Sequence, residues 1–195
     1  MSLIQLSLPL ILASASPRRR ELLDQSGLSY IVDVSDADET CDTTDPGEYV
    51  MELSRRKATA VCERHPNSLI IGADTIVVYD DEILGKPSDE KEALDMLMYL
   101  SGRTHQVLTG VTLLRTSHNG ILLSRTFAEV TNVTMYDNDR DLLQRYIDTK
   151  EPMDKAGAYG IQGMGALLVE RIEGDYNTVV GLPLARVCRE LGDLT

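Results

Sequence analysis

The sequence has no tryptophan, one phenylalanine and three cysteines among 195 residues. The cysteines Cys41, Cys62 and Cys188 are odd in number and widely spaced, and they belong to no C-x-x-C or Cys/His ligand pattern. Reduced thiols of this kind are typical of cytosolic proteins. We therefore predict neither a disulfide framework nor a zinc site.

Long apolar runs are also missing. The best candidate, Leu3 to Ala13, is interrupted by Pro9 and has no preceding Lys or Arg, so we interpret it as containing a buried strand and not as a signal peptide. No stretch approaches the ~18 apolar residues that span a bilayer. These features predict a cytoplasmic protein without a membrane partner.

Positive charge is scarce, because 19 Lys and Arg stand against 31 Asp and Glu, for a formal net charge of −12. Binding to polymeric nucleic acid depends on basic surfaces that release phosphate counterions, so such a partner is not expected. Several catalytic patterns are absent too: the chain has no G-x-S-x-G and no P-loop, and its three histidines lack triad or zinc spacing. A small anion bound by a local basic cluster stays open.

Composition and periodicity indicate a mixed α/β protein with a single domain over residues 1–195, since 43% of the residues are hydrophobic and 26% are charged. Apolar β-rich runs and amphipathic segments alternate along the chain. Helices are predicted from Ser16-Pro17 to Gly27, from Asp45-Pro46 to about Arg64, from the cap Ser88 to about Leu100, over 137–148, and from about Pro183. Strands are predicted over 10–13, 30–34, 69–71, 76–79, 106–114, 121–133 and 167–172.

Hydroxyls and arginines cluster from Ser14 to Arg20, at the first predicted junction between strand and helix. Arginines in a first helical turn oppose the helix dipole, at a cost of about 0.3–1 kcal/mol per charge unless an anion compensates. Unpaired backbone N–H groups at the helix start would also bind an anion. The segment predicts either an anion site or a capped helix with solvated arginines, and the local pattern leaves both open.

Three other features have both a functional and a structural interpretation. The polar interruption Gly72 to Thr75 presents Asp74 as a metal ligand or general base, although its spacing alone favours an ordinary turn. Lys57, Lys86 and Lys155 adjoin small or structure-breaking residues, as many surface lysines do. The segment from Gly157 to Gly165 either admits a ligand close to its backbone, beside Gln162, or simply turns the chain.

Together these segments resemble the Maf family of nucleoside triphosphate pyrophosphatases. The resemblance implies a Maf/ITPase-like α/β fold, with a twisted mixed β-sheet flanked by helices and a cleft between two lobes; it also implies a homodimer. Eight motifs occur in the family's order: Leu12 to Arg19, Asp38-Glu39, Lys57-Ala58, Gly72 to Thr75, Gly85-Lys86-Pro87, Ser101 to His105, Lys155 to Gly163, and Val180 to Leu184.

The resemblance implies hydrolysis of dTTP, UTP and modified pyrimidine nucleotides to the monophosphate and pyrophosphate, as a house-cleaning activity on the nucleotide pool. Asp74 would be the general base and, with Glu39, would hold Mg²⁺ or Mn²⁺. Phosphate binding would fall to four residues of the motifs: Ser14, Arg19, Lys57 and Lys86. Phosphoryl transfer needs such positioning and charge neutralisation rather than a covalent nucleophile.

The resemblance also implies a subgroup: Maf-like proteins that prefer uridine and thymidine nucleotides have Arg, Thr and Gln at three specificity positions, which here are Arg18, Thr75 and Gln162. The subgroup that resembles 7-methylguanosine triphosphate hydrolases has Trp at the position of Arg18, and this chain has no Trp. A neutral Gln amide can satisfy the adjacent N3–H and O4 of uracil or thymine.

A second hypothesis is a nucleotide-binding regulator of cell division or septum formation with weak or no catalysis. The presence of both Glu39 and Asp74 argues against it, because a pure binding protein needs neither a base nor a metal ligand. The additional Arg20 and the N-terminal segment Met1 to Pro9 depart from the family pattern without touching a motif position.

Overall fold

A computed structural model describes residues 3–194, which form seven strands and six α-helices. Met1, Ser2 and Thr195 lie outside the described residues, and with them the two ends of the predicted 1–195 domain. The strands are β1 (Leu10–Leu12), β2 (Ile31–Val32), β3 (Leu69–Tyr79), β4 (Glu82–Leu84), β5 (Thr104–Ser117), β6 (Gly120–Met135) and β7 (Val169–Glu173). The helices are α1 (Pro17–Ser26), α2 (Pro46–Ala60), α3 (Glu90–Leu100), α4 (Arg140–Asp148), α5 (Tyr176–Val180) and α6 (Leu184–Leu194).

The strands form one mixed sheet in the order β2-β1-β3-β5-β6-β7, with β4 paired to β3. β1 runs parallel to both neighbours, so that Ile11 is opposite Ile31 on β2 and Ile70 on β3. β4 is antiparallel to β3, and β7 is antiparallel to β6. The predicted α/β class with a mixed sheet and helices is confirmed.

Helix starts follow local capping chemistry. The Asp45 carboxylate accepts a hydrogen bond from the backbone N–H of Glu48 at 2.8 Å, as predicted for the start of α2. Gly27 ends α1 with a φ of 67°, a left-handed conformation that favours glycine. Ser16 precedes α1 as predicted, but its side chain makes no capping hydrogen bond.

Some predicted boundaries are wrong by a few residues. Asp89 caps α3 in place of Ser88, since its carboxylate accepts from the N–H of Glu92, and Asp139 caps a later start of α4. α2 ends at Ala60 and is followed by a 3₁₀ turn over Cys62–Arg64. A 3₁₀ helix over Gly163–Leu168 delays the start of β7 to Val169. Competing caps and short 3₁₀ turns leave little trace in hydrophobic periodicity.

The predicted polar interruption at Gly72 to Thr75 is also wrong, because β3 continues through it. The first six residues of this strand, Leu69 to Asp74, are all buried. A strand that is buried on both faces is a nearly continuous apolar run without polar alternation. Asp74 breaks this run, and its charge is tolerated at a buried position because its side chain has a buried partner, Lys57. Asp74 therefore lies inside a strand and not at a strand end.

Residue contacts divide the chain into two compact units. Unit 1 comprises the residues up to Asp74, Thr109–Glu129 and those from Gly181; unit 2 comprises Thr75–Leu108 and Val130–Val180. The single domain over residues 1–195 stays a prediction. No helix within residues 3–194 is long and apolar enough to cross a membrane.

Each unit has its own hydrophobic cluster. In unit 1, buried residues of β1 and β3 pack with residues of α2: the cluster comprises Ile11, Ala13, Ala58, Val61, Ile70 and Leu114. In unit 2, α3 and α4 pack against strand residues, and Leu97, Leu100, Val133 and Ile147 are among the fully buried members.

Candidate active site

Unit 1 places a lysine between two carboxylates. The ammonium nitrogen Nζ of Lys57 lies 2.6 Å from Oδ1 of Asp74 and 2.8 Å from Oε1 of Glu39. The side chains of Lys57 and Asp74 are 13% and 12% exposed, whereas that of Glu39 is 62% exposed. The Lys57–Asp74 pair is therefore largely desolvated, and Glu39 approaches it from the solvent side.

Close packing of α2 on β3 brings Lys57 to Asp74. A Cβ on Gly72 would lie 2.3 Å from the backbone oxygen of Ser54 and 2.6 Å from the backbone nitrogen of Ala58. A side chain at this position would push the helix away from the strand. Lys57 precedes Ala58 and Asp74 follows Gly72 by two residues, so this contact sets the separation of the ion pair.

A second contact fixes the same helix. The hydroxyl of Ser54 on α2 and that of Thr112 on β5 are hydrogen-bonded at 2.8 Å, and both side chains are fully buried. A Cβ on Gly110 would lie 2.3 Å from the backbone oxygen of Val50. The position of α2 in unit 1 is thus specified at both Gly72 and Gly110, with a buried hydroxyl pair beside them.

Arg19, from the first predicted motif, is buried at 9% exposure. Its Nε donates to the backbone oxygen of Gly181 at 2.8 Å, and its Nη1 donates to the hydroxyl of Ser14 at 3.1 Å. Burial lowers the pKa of Arg19 from its ordinary value, and the Asp74 carboxylate opposes this effect. Because arginine stays protonated in proteins, unit 1 contains a permanent buried positive charge.

This geometry corrects one of the two interpretations of the Ser14–Arg20 segment. A helix with solvated arginines does not describe Arg19, which is buried, although Arg18 and Arg20 are half-buried. Ser16 also supplies no side-chain cap. The alternative interpretation, an anion site at this junction, stays a prediction.

Tyr49 on α2 belongs to none of the sequence motifs. Burial raises its pKa, and the negative charges of Asp74 and Glu39 add to the effect. The phenol therefore stays protonated at neutral pH and keeps a hydrogen-bond donor near two carboxylates. The one sequence signal for Tyr49 is its position on α2, eight residues or about two helical turns before Lys57.

Thr75, Lys86 and Gln162 belong to unit 2. Lys86 is exposed, and the other two are half-buried. The backbone N–H of Gly157 donates to the backbone oxygen of Gly85 at 3.0 Å. This bond brings two sequence motifs together, the one with Lys86 and the glycine-rich segment with Gln162.

The same glycine-rich segment is attached to a buried histidine. Nε2 of His105 lies 2.6 Å from the phenolic oxygen of Tyr159, and the two rings meet edge to face. Burial lowers the pKa of His105 to about 4 and raises the pKa of Tyr159 above its ordinary value. Both groups are therefore neutral at pH 7. His105 belongs to the Ser101 to His105 motif, but sequence spacing did not indicate its partner.

The candidate metal ligands are two carboxylates. Within residues 3–194, no group of three or more His, Cys, Asp or Glu side chains converges on one point. Glu39 and Asp74 nevertheless both contact one positively charged group, the Lys57 ammonium. Mg²⁺ is commonly bound through one or two carboxylates, with water and substrate phosphates as the remaining ligands, so this donor set fits such a cation.

Comparison with known proteins gives consistent matches over most of the chain. A family described as "Maf-like protein" matches residues 9–194. The "dTTP/UTP pyrophosphatase" of Bacillus cytotoxicus (strain DSM 22905 / CIP 110041 / 391-98 / NVH 391-98) is 51% identical over 182 residues, and the match covers 93% of each chain. The "dTTP/UTP pyrophosphatase" of Lachnoclostridium phytofermentans (strain ATCC 700394 / DSM 18823 / ISDg) is 49% identical over 183 residues, with the same coverage. Among solved structures, the Ham1 protein of Staphylococcus aureus is 14% identical, with a TM-score of 0.46 over 80% of this chain and 77% of that one.

Proposed function

This chain belongs to the Maf family, and we propose that it is a nucleoside triphosphate pyrophosphatase that hydrolyses dTTP and UTP to the monophosphate and pyrophosphate. Modified pyrimidine nucleotides are included in the proposal, as substrates of a house-cleaning activity. Relatives about half identical over 93% of the chain have names that state the dTTP/UTP activity. The observation that carries the proposal is the desolvated Lys57–Asp74 pair with Glu39 beside it.

Asp74 is the proposed general base. Its carboxylate takes a proton from a water molecule, the water oxygen forms a bond to the α-phosphorus, and the bond from that phosphorus to the α–β bridging oxygen breaks. Pyrophosphate leaves with the bridging oxygen. Lys57 holds one carboxylate oxygen at 2.6 Å, which fixes the orientation of the base.

Phosphate binding is assigned to Ser14, Arg19, Lys57 and Lys86. The Ser14 hydroxyl accepts a hydrogen bond from Arg19 and has its own proton to donate to a phosphate oxygen. Arg19 brings a permanent charge, and Lys57 is balanced in the ligand-free protein by two carboxylates. These positive groups would neutralise charge that a triphosphate brings.

Glu39 and Asp74 are the proposed ligands of a divalent cation, Mg²⁺ or Mn²⁺. Their oxygens suit such hard cations, and the exposed Glu39 side chain can reorient at little cost. When bound, the cation supplies charge neutralisation at the phosphate oxygens. In its absence Lys57 supplies the positive charge that these two carboxylates require.

Base selectivity is assigned to Arg18, Thr75 and Gln162. The neutral amide of Gln162 matches the acceptor and donor that uracil and thymine present side by side.

Two further proposals follow from the family: action on the cytoplasmic nucleotide pool, and a homodimer. Cys41, Cys62 and Cys188 are free thiols, which suits a reducing compartment.

The test is pyrophosphate release from a panel of nucleoside triphosphates with Mg²⁺ or Mn²⁺. We expect selective release from UTP and dTTP, and a kcat lower by about 10²–10⁴-fold in Asp74→Asn, because general base catalysis contributes in this range. The affinity for UTP should change much less, since Lys57 keeps Glu39 as a partner.

Asp95→Asn is the matched control, because Asp95 is an exposed residue of α3 in unit 2. Its turnover should equal that of the wild type. Unchanged turnover in Asp74→Asn would remove Asp74 from the role of base. Nucleotide binding without pyrophosphate release across the panel would favour the regulator hypothesis.

A further inference from the structure

One pair of side chains holds the glycine-rich segment on both sides of Gln162. Before Gln162, the backbone N–H of Gly160 donates to the phenolic oxygen of Tyr146 at 3.2 Å. The Tyr146 hydroxyl in turn donates to Oε1 of Glu151 at 3.1 Å. The half-buried Glu151 carboxylate is therefore connected to the chain that leads into Gln162.

The same carboxylate binds the chain that leaves Gln162. The backbone N–H of Met164 donates to Oε2 of Glu151 at 3.0 Å, and that of Gly165 donates to Oε1 at 3.1 Å. Glu151 thus accepts three hydrogen bonds, two from backbone groups and one from a phenol. A carboxylate suits this task because it offers only acceptor sites, on two oxygens.

Two glycines let the carboxylate and the phenol approach so closely. Gly163 has a φ of 63°, and a Cβ there would lie 2.8 Å from Oε2 of Glu151. A Cβ on Gly165 would lie 2.7 Å from the Tyr146 hydroxyl oxygen and 2.2 Å from the backbone oxygen of Gly160. The glycines of this segment therefore serve contact with Glu151 and Tyr146 as well as chain reversal.

We propose that Glu151 is a positioning residue for base selectivity, acting through Gln162 with Tyr146 as its link. The inference rests on the proposed function, in which Gln162 binds the N3–H and O4 edge of uracil or thymine. Hydrogen bonds to such an edge are directional, so a shift of the Gln162 backbone by a fraction of an ångström weakens them. Glu151 itself touches no substrate in this proposal.

The first measurement needs no substrate. Glu151→Gln keeps the size of the side chain but replaces one acceptor oxygen with an NH₂ group, which cannot accept from a backbone N–H. We expect amide hydrogen exchange at Met164 and Gly165 to accelerate by roughly tenfold or more, while amides of β5 keep their protection. Glu170→Gln, at an exposed position of β7 in the same unit, should leave both regions unchanged.

The second measurement compares the dissociation constants of UTP and CTP by calorimetry, together with pyrophosphate release from both. CTP has an amino group in place of O4 and lacks the N3–H. We expect the preference for UTP to fall by about tenfold in Glu151→Gln, on the scale of a lost directional contact. In a Gln162→Ala background the same substitution should cause no further fall, because coupled residues are non-additive.

Three results would overturn the proposal: faster exchange with an unchanged UTP preference, equal weakening of UTP and CTP, or an additive loss in the double variant. A wild type without preference for UTP would overturn it as well. Absence of pyrophosphate release by the wild type would refute the proposed function alone, because the ratio of dissociation constants still decides the positioning role.

If Glu151→Gln does not fold, Tyr146→Phe tests the link between Glu151 and Gly160. We expect a smaller fall in the preference for UTP in this variant. Equal changes in the binding of UTP and CTP would overturn the proposal.

Discussion

In unit 1 the Lys57 ammonium lies between the carboxylates of Asp74 and Glu39, whereas in unit 2 the buried His105 faces the neutral phenol of Tyr159. Arg19 adds a further buried charge to unit 1. The glycine-rich segment of unit 2 is held by hydrogen bonds to backbone groups, in which Glu151 is the charged participant.

This difference shows which kind of ligand group each of the two arrangements suits. Charge interactions in a desolvated setting are strong and tolerate small displacements, so they suit phosphates and cations whose position varies during a reaction. Hydrogen bonds between neutral groups are short-ranged and directional, so they suit discrimination between bases that differ by one or two atoms.

The largest effect is expected for Lys57→Met. The substitution removes the ion-pair partner of the buried Asp74 carboxylate, which should lower the free energy of unfolding by about 2–4 kcal/mol. Loss of a phosphate-binding and orienting charge should lower kcat/KM for UTP by roughly 10²-fold or more. Urea denaturation and pyrophosphate release measure the two effects.

The double variant Lys57→Met/Asp74→Asn sharpens this test. It should recover most of the lost stability, because the Asp74 carboxylate that had lost its partner is replaced by a neutral amide. It should recover none of the activity. Lys91→Met, at an exposed position of α3, is the control and should behave as the wild type. A double variant no more stable than Lys57→Met would show that packing, and not charge, dominates unit 1.

An intermediate effect is expected from the pH dependence of unit 2. Burial lowers the pKa of His105 to about 4 in the folded protein, against about 6.5 in the unfolded chain. The unfolded state therefore binds more protons between these values, so this contribution is complete above pH ~6.5 and is lost as pH falls toward 4. Its size is about 3 kcal/mol, since each pKa unit corresponds to about 1.4 kcal/mol.

The measurement is the free energy of unfolding at neutral and at mildly acidic pH, for the wild type and for His105→Gln. The glutamine can still bond to Tyr159 but does not titrate, so stability of the variant should fall less on acidification. Parallel pH dependence of the two proteins would contradict a buried neutral His105.

The smallest effect separates phosphate binding from base selectivity by ionic strength. Raising salt from about 50 mM to about 500 mM shortens the screening length severalfold, so KM for UTP should rise by a factor of several. The preference for UTP over CTP should stay within about twofold, because the hydrogen bonds of the neutral Gln162 amide, which distinguish the two bases, are not screened. Steady-state kinetics with both nucleotides measures this, and a preference that falls together with affinity would assign base selectivity to charge.

Much of the fold was predictable because its signals are local. The Asp45 cap, the Gly27 stop and the turn between β5 and β6 each depend on neighbours within a few residues. Two errors also have local causes. Asp89 competes with Ser88 for one cap, and the largely buried β3 has no polar alternation that would show the strand continuing across Asp74.

The candidate site was predictable as a set of residues through the resemblance, and hardly at all from isolated patterns. Asp74 by itself indicated an ordinary turn, and Lys57 an ordinary surface lysine. Their contact makes them informative, since a desolvated ion pair beside a buried arginine is uncommon among structural residues. Glu151 and Tyr146 had no sequence signal of their own.

The sequence by itself determined which charged and glycine residues this protein has, where its helices start and stop, and its membership of a family, because these depend on residue identity and short spacing. Only the tertiary structure decided which partners those residues take. Arg19 bonds to Gly181 across 162 positions and Lys57 to Asp74 across 17. Such pairs form when the sheet and its helices pack, and no local propensity encodes them.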